Sequence, residues 1–208
     1  MAAVKRRSYR STIRRGEAPQ RVIEAAARLF AMQGYLATSI EDIAAEAGVA
    51  RPTVFSAVGT KPVILRAVVD QAIAGDDAAV PVAEREWWRE TVDEPDPATA
   101  IRRLARTMTG IGQRIALIAR ALETAASTDP DSAEVWDRYQ TQRRTGLREF
   151  VEALAARHVT LRQDVDTLTD TLWMLQPSAY LRLVVDAGWS PERYEAWLAD
   201  LLGRVFLE

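Results

Sequence analysis

The chain of 208 residues contains no cysteine, which excludes disulfide bonds, zinc–thiolate centres and thiol catalysis. It contains a single histidine, His158, so a histidine-built metal site and a serine–histidine–aspartate triad both lack their parts. No apolar run approaches the roughly 18–20 residues that a membrane-spanning helix needs. The basic N-terminus is not followed by an apolar stretch, so it does not read as a secretory signal, and a cytoplasmic location is expected. No glycine-rich phosphate loop is present, and no carboxylate pair recurs at metal-ligand spacing. An enzyme is therefore the weakest of the function classes, and neither a metal nor a cofactor is expected.

What is present is an ordinary globular composition with an uneven charge. Residues 1–66 hold 11 Lys+Arg against 5 Asp+Glu, whereas the remainder hold 16 against 24. A basic head on an acidic body suggests that only the head meets a polyanion; the alternative is a solvated basic tail with no partner. Residues 1–17 carry Lys5, Arg6, Arg7, Arg10, Arg14 and Arg15 with almost nothing apolar to bury, and read as a basic arm.

Beyond the arm the apolar residues recur at helical spacing throughout, and nothing reads as a strand. Pro19 suits the first turn of a helix that carries Val22, Ala26, Leu29 and Phe30 on one side and stops at Gly34. Thr38 and Ser39 each precede a carboxylate by three residues (Glu41 and Asp42), so either one fits a capping box. Ile40, Ile43, Ala44 and Ala47 form the stripe of a helix that Gly48 breaks after two turns. Pro52 restarts a short helix through Val58, ended by Gly59, and a further helix runs from about Lys61 to Ala74. Residues 75–97 are the most linker-like stretch. Long helices then follow over about 97–126, with a possible break near Gly110 or Gly112, and over about 131–157. Shorter ones cover 164–176, 178–187 and 190–206.

Two brief helices around a glycine turn cannot persist alone. Packed on the helix before them they make a helix-turn-helix, in which the second helix lies in the major groove of DNA. Ile40, Ile43, Val49 and Val54 are its expected core. The residues Arg21-Val22-Ile23-Glu24-Ala25-Ala26, Leu29-Phe30, Gly34-Tyr35, Thr38-Ser39-Ile40, Ile43-Ala44, Ala47-Gly48-Val49 and Thr53-Val54-Phe55 with Gly59 and Lys61 resemble the DNA-binding head of the tetracycline-repressor (TetR) family. The resemblance covers about residues 18–66; the body matches only in helical character and length.

The resemblance implies an all-α fold, with a three-helix head (18–66) followed by a larger helical ligand-binding and dimerisation domain (67–208). It implies a homodimer on a palindromic double-stranded DNA operator, released by a small-molecule inducer. It places Arg51, Pro52, Thr53, Phe55, Ser56 and Lys61, with Thr38 and the arm residues Arg14 and Arg15, at the DNA. Arg51 would read guanine or hold a phosphate, Pro52 would meet a thymine methyl, and Thr53 and Lys61 would touch phosphates. Phe55 stands where the family usually has tyrosine, either packed inward or facing DNA. Ala50 replaces the usual serine cap, and Val58 is expected in the core.

In the body, six tryptophans, Trp87, Trp88, Trp136, Trp173, Trp189 and Trp197, read first as core or dimer seam. A ligand pocket is expected from the stripe Met108, Ile111, Ile115 and Ile118 with Arg114 beside it, from Trp136, Tyr139 and Arg143 on one helical face, and from Trp173. A plain helical core has the same appearance. Leu168, Leu172, Tyr194, Trp197, Leu198, Leu201, Leu202 and Val205 lie in stripes that the resemblance assigns to the dimer interface; the alternative is that they cap their own domain. His158 is expected as a charge at a helix end. The competing reading of the whole is a helical binding or scaffold protein that keeps the head fold without binding DNA.

Overall fold

The computed structural model describes residues 16–76, 78, 80–157 and 160–208, and over these it is built of helices joined by short turns. The arm residues Arg14 and Arg15, and also His158, lie outside the described residues. Among the described residues the one β feature is an isolated antiparallel bridge between Leu161 and Leu207, and no helix is long and apolar enough to cross a membrane.

The head consists of α1 (Ala18–Gln33), α2 (Ile40–Ala47) and α3 (Arg51–Ala57). Pro19 enters α1 in its first turn, and Gly34 leaves it at φ +84°. Of the two caps that the sequence offers for α2, the chain uses Ser39. Its hydroxyl accepts from the Asp42 amide at 3.0 Å, while the Asp42 carboxylate accepts from the Ser39 amide at 2.9 Å. Thr38 is turned inward instead, with its hydroxyl donating to the Gly34 carbonyl at 2.8 Å. Gly48 turns the chain between α2 and α3 in the left-handed region at φ +68°, where a side chain would be strained and a Cβ would stand 3.1 Å from the Arg21 guanidinium. Ile43, Ala44, Ala47 and Val54 pack on Val22, Ala26 and Phe30, and Ile40, Val49 and Val58 lie half-buried around them.

Helix α4 (Lys61–Ala74) is unbroken across residue 66, where the sequence suggested a domain boundary. Ile64, Leu65, Val68 and Val69 are buried in a core that also takes Ile115, Ile118 and Leu122 from α6 and Tyr139 from α7. Head and body therefore share one apolar core.

The stretch expected to be a linker is structured. A single 3-10 turn (Val82–Glu84) leads into α5 (Glu86–Val92), whose Trp88 and Val92 are buried in the body. The Trp88 indole donates to Glu149 at 3.2 Å. At two turns, α5 is too short to establish a period, and the surrounding charges hide it. Arg85 is buried there, with its guanidinium forked onto the Asp76 carboxylate at 2.7 and 3.0 Å.

The body is assembled around α6 (Pro97–Ala126), which runs through Gly110 and Gly112 without a break. Gly112 is required by the approach of Tyr180, whose ring would stand 2.7 Å from a Cβ there. Helix α7 (Pro130–Ala155) packs on α6, α8 (Val165–Leu175) packs on α7, and α10 (Pro191–Phe206) packs on α6. Between α8 and α10 a turn of α9 (Ser178–Tyr180) widens into a π-helical segment, Leu181–Asp186. Asp96, Asp129, Asp164 and Ser190 cap α6, α7, α8 and α10, each accepting the amide three residues on.

Within the chain's own packing, most of the residues expected at a dimer seam are enclosed. Leu168, Leu172, Tyr194, Leu198 and Leu202 are completely buried within the chain's own core, alongside Leu104, Phe150 and Phe206. Only Trp197, Leu201 and Val205 keep part of their surface. The apolar stripes of α8 and α10 are wide in part because these helices cover α7 and α6.

Candidate nucleic-acid interface

Helix α3 is seven residues long and held by one fully buried side chain, Val54. On a helix anchored there, positions 52, 55 and 56 face away and position 51 lies at the open first turn, and Arg51, Pro52, Phe55 and Ser56 are all exposed. Thr53 is half-buried at the flank. Phe55 thus belongs to the outer face, 42% exposed, which decides a point the sequence left open. Ser56 donates its hydroxyl back to the Thr53 carbonyl at 3.2 Å, leaving the oxygen's lone pairs as acceptors.

Arg51 is not free in this arrangement. Its Nε meets the Glu41 carboxylate of α2 at 2.7 Å, and its guanidinium lies 5.5 Å from the centre of the Phe55 ring. Both charged side chains are about three-fifths exposed, so the pair is worth no more than about 1 kcal/mol and yields readily to a stronger acceptor. Glu41 was missed by sequence reasoning, since ten residues and a turn separate it from its partner.

Lys61 opens α4 but does not extend into solvent. Its Nζ sits 4.1 Å from the centre of the Tyr35 ring, and burial lowers its pKa, opposed by the charges of Asp129 and Asp42. The Tyr35 pKa is raised, chiefly by burial, with Ser132 opposing the shift and the Asp129 charge reinforcing it. Lys61 therefore stands at the seam between head and body. Thr38, grouped with the DNA-contacting residues on sequence, does not join them: it is 1% exposed, and its hydroxyl and amide are spent on the turn after α1.

The charge of the head is divided in an instructive way. Residues 16–66 carry five cations (Arg21, Arg28, Arg51, Lys61, Arg66) and five carboxylates (Glu17, Glu24, Glu41, Asp42, Glu46). The entire basic surplus of the N-terminal third therefore lies in residues 1–15, with Lys5, Arg6, Arg7, Arg10, Arg14 and Arg15.

The residues expected to line one ligand pocket separate into three groups. Ile111 and Arg114 border an open groove of about 710 Å³ between the end of α4, α5 and α6. Arg114 is committed there, donating to the Ala72 carbonyl at 2.8 Å and the Ile73 carbonyl at 3.2 Å, so it caps the C-terminus of α4. Trp136, Arg143 and Trp173 line a second cavity of about 250 Å³, joined by Gln140, which sequence reasoning missed. Met108, Ile115, Ile118 and Tyr139 line neither and are packed in the two cores.

Residues 22–68 match the family model of bacterial regulatory proteins of the tetR family. The head is a TetR-family head. Solved structures extend the likeness to the body. A protein from Saccharomonospora viridis, described as a transcriptional regulator in complex with choline, is 20% identical with a TM-score of 0.70, over 93% of this chain and all of that one. A protein from Rhodococcus sp., described as a TetR-family transcriptional regulator, is 14% identical with a TM-score of 0.69, over 92% and 99% of the two chains. A Clostridium perfringens protein, described as a fatty acid metabolism regulator, is 15% identical with a TM-score of 0.63, over 88% and 96%. At such identities the likeness is one of fold. No curated protein sequence gives a significant match. Within the TetR-family head, the departure at Ala50 has a visible cost, since this residue occupies the N-cap of α3 and its side chain makes no capping hydrogen bond.

Proposed function

We propose that the chain is a sequence-specific DNA-binding transcription regulator that works as a homodimer in the cytoplasm, repressing from a palindromic operator until a small molecule bound in the body releases it. The observation that carries this reading is the outer face of α3, where Arg51, Pro52, Phe55 and Ser56 stand exposed on a short rod supported by α1 and α2. Such a rod fits the major groove, and two of them on a two-fold axis would read half-sites roughly 34–36 Å apart. In contact with DNA, Arg51 exchanges Glu41 for a guanine edge or a phosphate, while the basic arm follows the backbone or the minor groove. Trp197, Leu201 and Val205, with the exposed Met174 and the half-buried Val165 and Leu175, offer apolar surface on α8 and α10 to a partner subunit. The Saccharomonospora viridis protein is complexed with choline, which supports a fold that accommodates small molecules.

The test is fluorescence anisotropy of the DNA upstream of the chain's own coding sequence. Affinity should fall steeply between about 50 and 200 mM salt as phosphate contacts release counterions. A binding constant indifferent to salt overturns the reading. The neutral charge of residues 16–66 and the Arg51–Glu41 pair favour a second reading, a head-fold protein that binds no DNA. Absence of binding to any genomic fragment would establish that one instead.

A further inference from the structure

Of the four arginines on α7, Arg138 is exposed with no ion pair among the described residues, and the other three differ in what they meet. Arg144 and Arg148 face outward, and each has a carboxylate: Asp170 at 2.8 Å for the first, Asp166 and Glu152 for the second. Arg143 faces the cavity between α6, α7 and the end of α8, and no ion pair forms there among the described residues. Its Nη2 donates to the Trp173 carbonyl at 2.7 Å. Its guanidinium carbon also lies 5.5 Å from the centre of the Tyr139 ring and 5.4 Å from that of Trp173. Three of the side chains that line this cavity also carry a polar atom shut off from solvent with no hydrogen-bond partner: Gln140 Oε1, Arg143 Nε and Trp173 Nε1.

We infer that this cavity is a binding site for a small organic anion, a carboxylate on an apolar or aromatic body, seated on the Arg143 guanidinium between the Trp136 and Trp173 indoles. The inference rests on the proposed reading of the body as a ligand-responsive module and gives that ligand a chemical class. Once these side chains shift enough to admit a ligand atom, two orphaned donors and one acceptor suit a carboxylate flanked by a ligand donor. A water cannot neutralise a charge, and a partly desolvated cation without a counter-ion is costly. Consistent with this, burial lowers the Arg143 pKa, and the Tyr139 hydroxyl only partly offsets it. Indole walls alone would equally suit a quaternary ammonium ion; Arg143 decides against a cation. Glu123, the acidic group on the lining, is exposed to solvent and weakly felt inside.

The site also has a route to the head. Ala119 and Trp136 border the cavity and pack in the core shared with α1 and α4, and Tyr139 is buried in that core while its ring meets the guanidinium. A ligand that draws Arg143 toward itself or spreads the indoles acts on the shoulder against which the head rests.

The full-length protein without DNA is titrated with benzoate, indole-3-acetate and hexanoate, each paired with its neutral primary amide, and with benzyltrimethylammonium. Thermal melting and tryptophan fluorescence are the readouts. At least one carboxylate should raise the melting temperature and quench saturably, its amide binding about tenfold or more weakly and the cation not at all. R143M should melt no lower than the parent in the absence of ligand and lose the carboxylate response. If that variant fails to fold, W173F keeps the ring, removes the N–H and should weaken carboxylate binding several-fold. No saturable carboxylate, amides that bind as well, or retention of binding in the folded variants overturns the inference. A protein that takes a carboxylate but no operator would leave this site standing while removing the regulator reading; the reverse result would remove only the site.

Discussion

The two halves of α6 are built into different cores. Toward its N-terminus, Ala100, Ile101, Leu104, Ala105 and Met108 pack with Phe150, Leu172, Tyr194 and Phe206; toward its C-terminus, Ile118, Ala119, Leu122 and Ala125 pack with Val22, Phe30, Ile64 and Val68. The first core is rich in large aromatics and closed within the body. The second is richer in alanine, because α2 and α3 are two turns each and α2 approaches through Ala44 and Ala47, so it takes its bulk partly from the body. The head is thus shaped for DNA but steadied by α6. Anything that disturbs the C-terminal half of α6 should reach α3, and anything in the N-terminal half should not.

The sharpest way to break this contrast is a pair of truncations. F150A should cost about 3–5 kcal/mol and L122A about 2–5 kcal/mol in chemical denaturation. At a temperature where both remain folded, L122A should weaken DNA binding and F150A should not. Equal effects on binding would mean that the two cores act as one. Next in size is removal of residues 1–15. With residues 16–66 carrying no net charge, the deletion should lower DNA affinity by about tenfold or more near physiological salt and flatten the salt dependence, while the melting temperature holds. An unchanged slope would move the phosphate contacts to the folded head.

A smaller effect is expected from R114A, which frees the Ala72 and Ile73 carbonyls at the end of α4. A loss of about 1 kcal/mol, reduced by the exposure of Arg114, should come with faster amide exchange in the last turn of α4. Exchange that is unchanged would show that the clamp is not needed. The smallest effect separates head and body by pH. Hydrogen bonds from the Ser39 hydroxyl and amide hold the Asp42 carboxyl below its usual range; the Thr99 hydroxyl and amide do the same for Asp96, and the Thr167 amide and hydroxyl for Asp164. A carboxyl whose folded pKa is lowered stabilises the protein above the unfolded value of about 3.9, and that contribution is lost as pH falls through the folded value. Melting should therefore drop in acid below about pH 4, and S39A should remove only the head's share. A melting temperature that rises on acidification would contradict this.

Much of this was open to reading in the sequence, and the parts that were not share a cause. Pro19, Gly34, Gly48 and Gly59 marked the helices of the head because breaks and caps act within a few residues. Thr38 and Ser39 were equivalent on paper, each with a carboxylate three residues on, and the burial of Thr38 separated them. Helix α5 escaped because seven residues span too few turns to show a period. Leu168, Leu172, Leu198 and Leu202 read as a seam for a second subunit because a helix covered by its own chain shows the same broad apolar stripe. In the candidate cavity the spacing placed Trp136 and Arg143 on one face, but their meeting with Trp173, thirty residues beyond Arg143, is a product of packing.

The sequence by itself determined where the helices of the head begin and stop, the TetR-like order of those helices and the division of charge between arm and body, since each follows from neighbours a few residues apart or from counting. Only the tertiary structure decided that Arg51 rests on Glu41, that Phe55 faces outward and that Arg143, half-buried, is held on the Trp173 carbonyl. These depend on which faces of distant helices meet, a choice made by the burial of the whole chain and by no local run of residues.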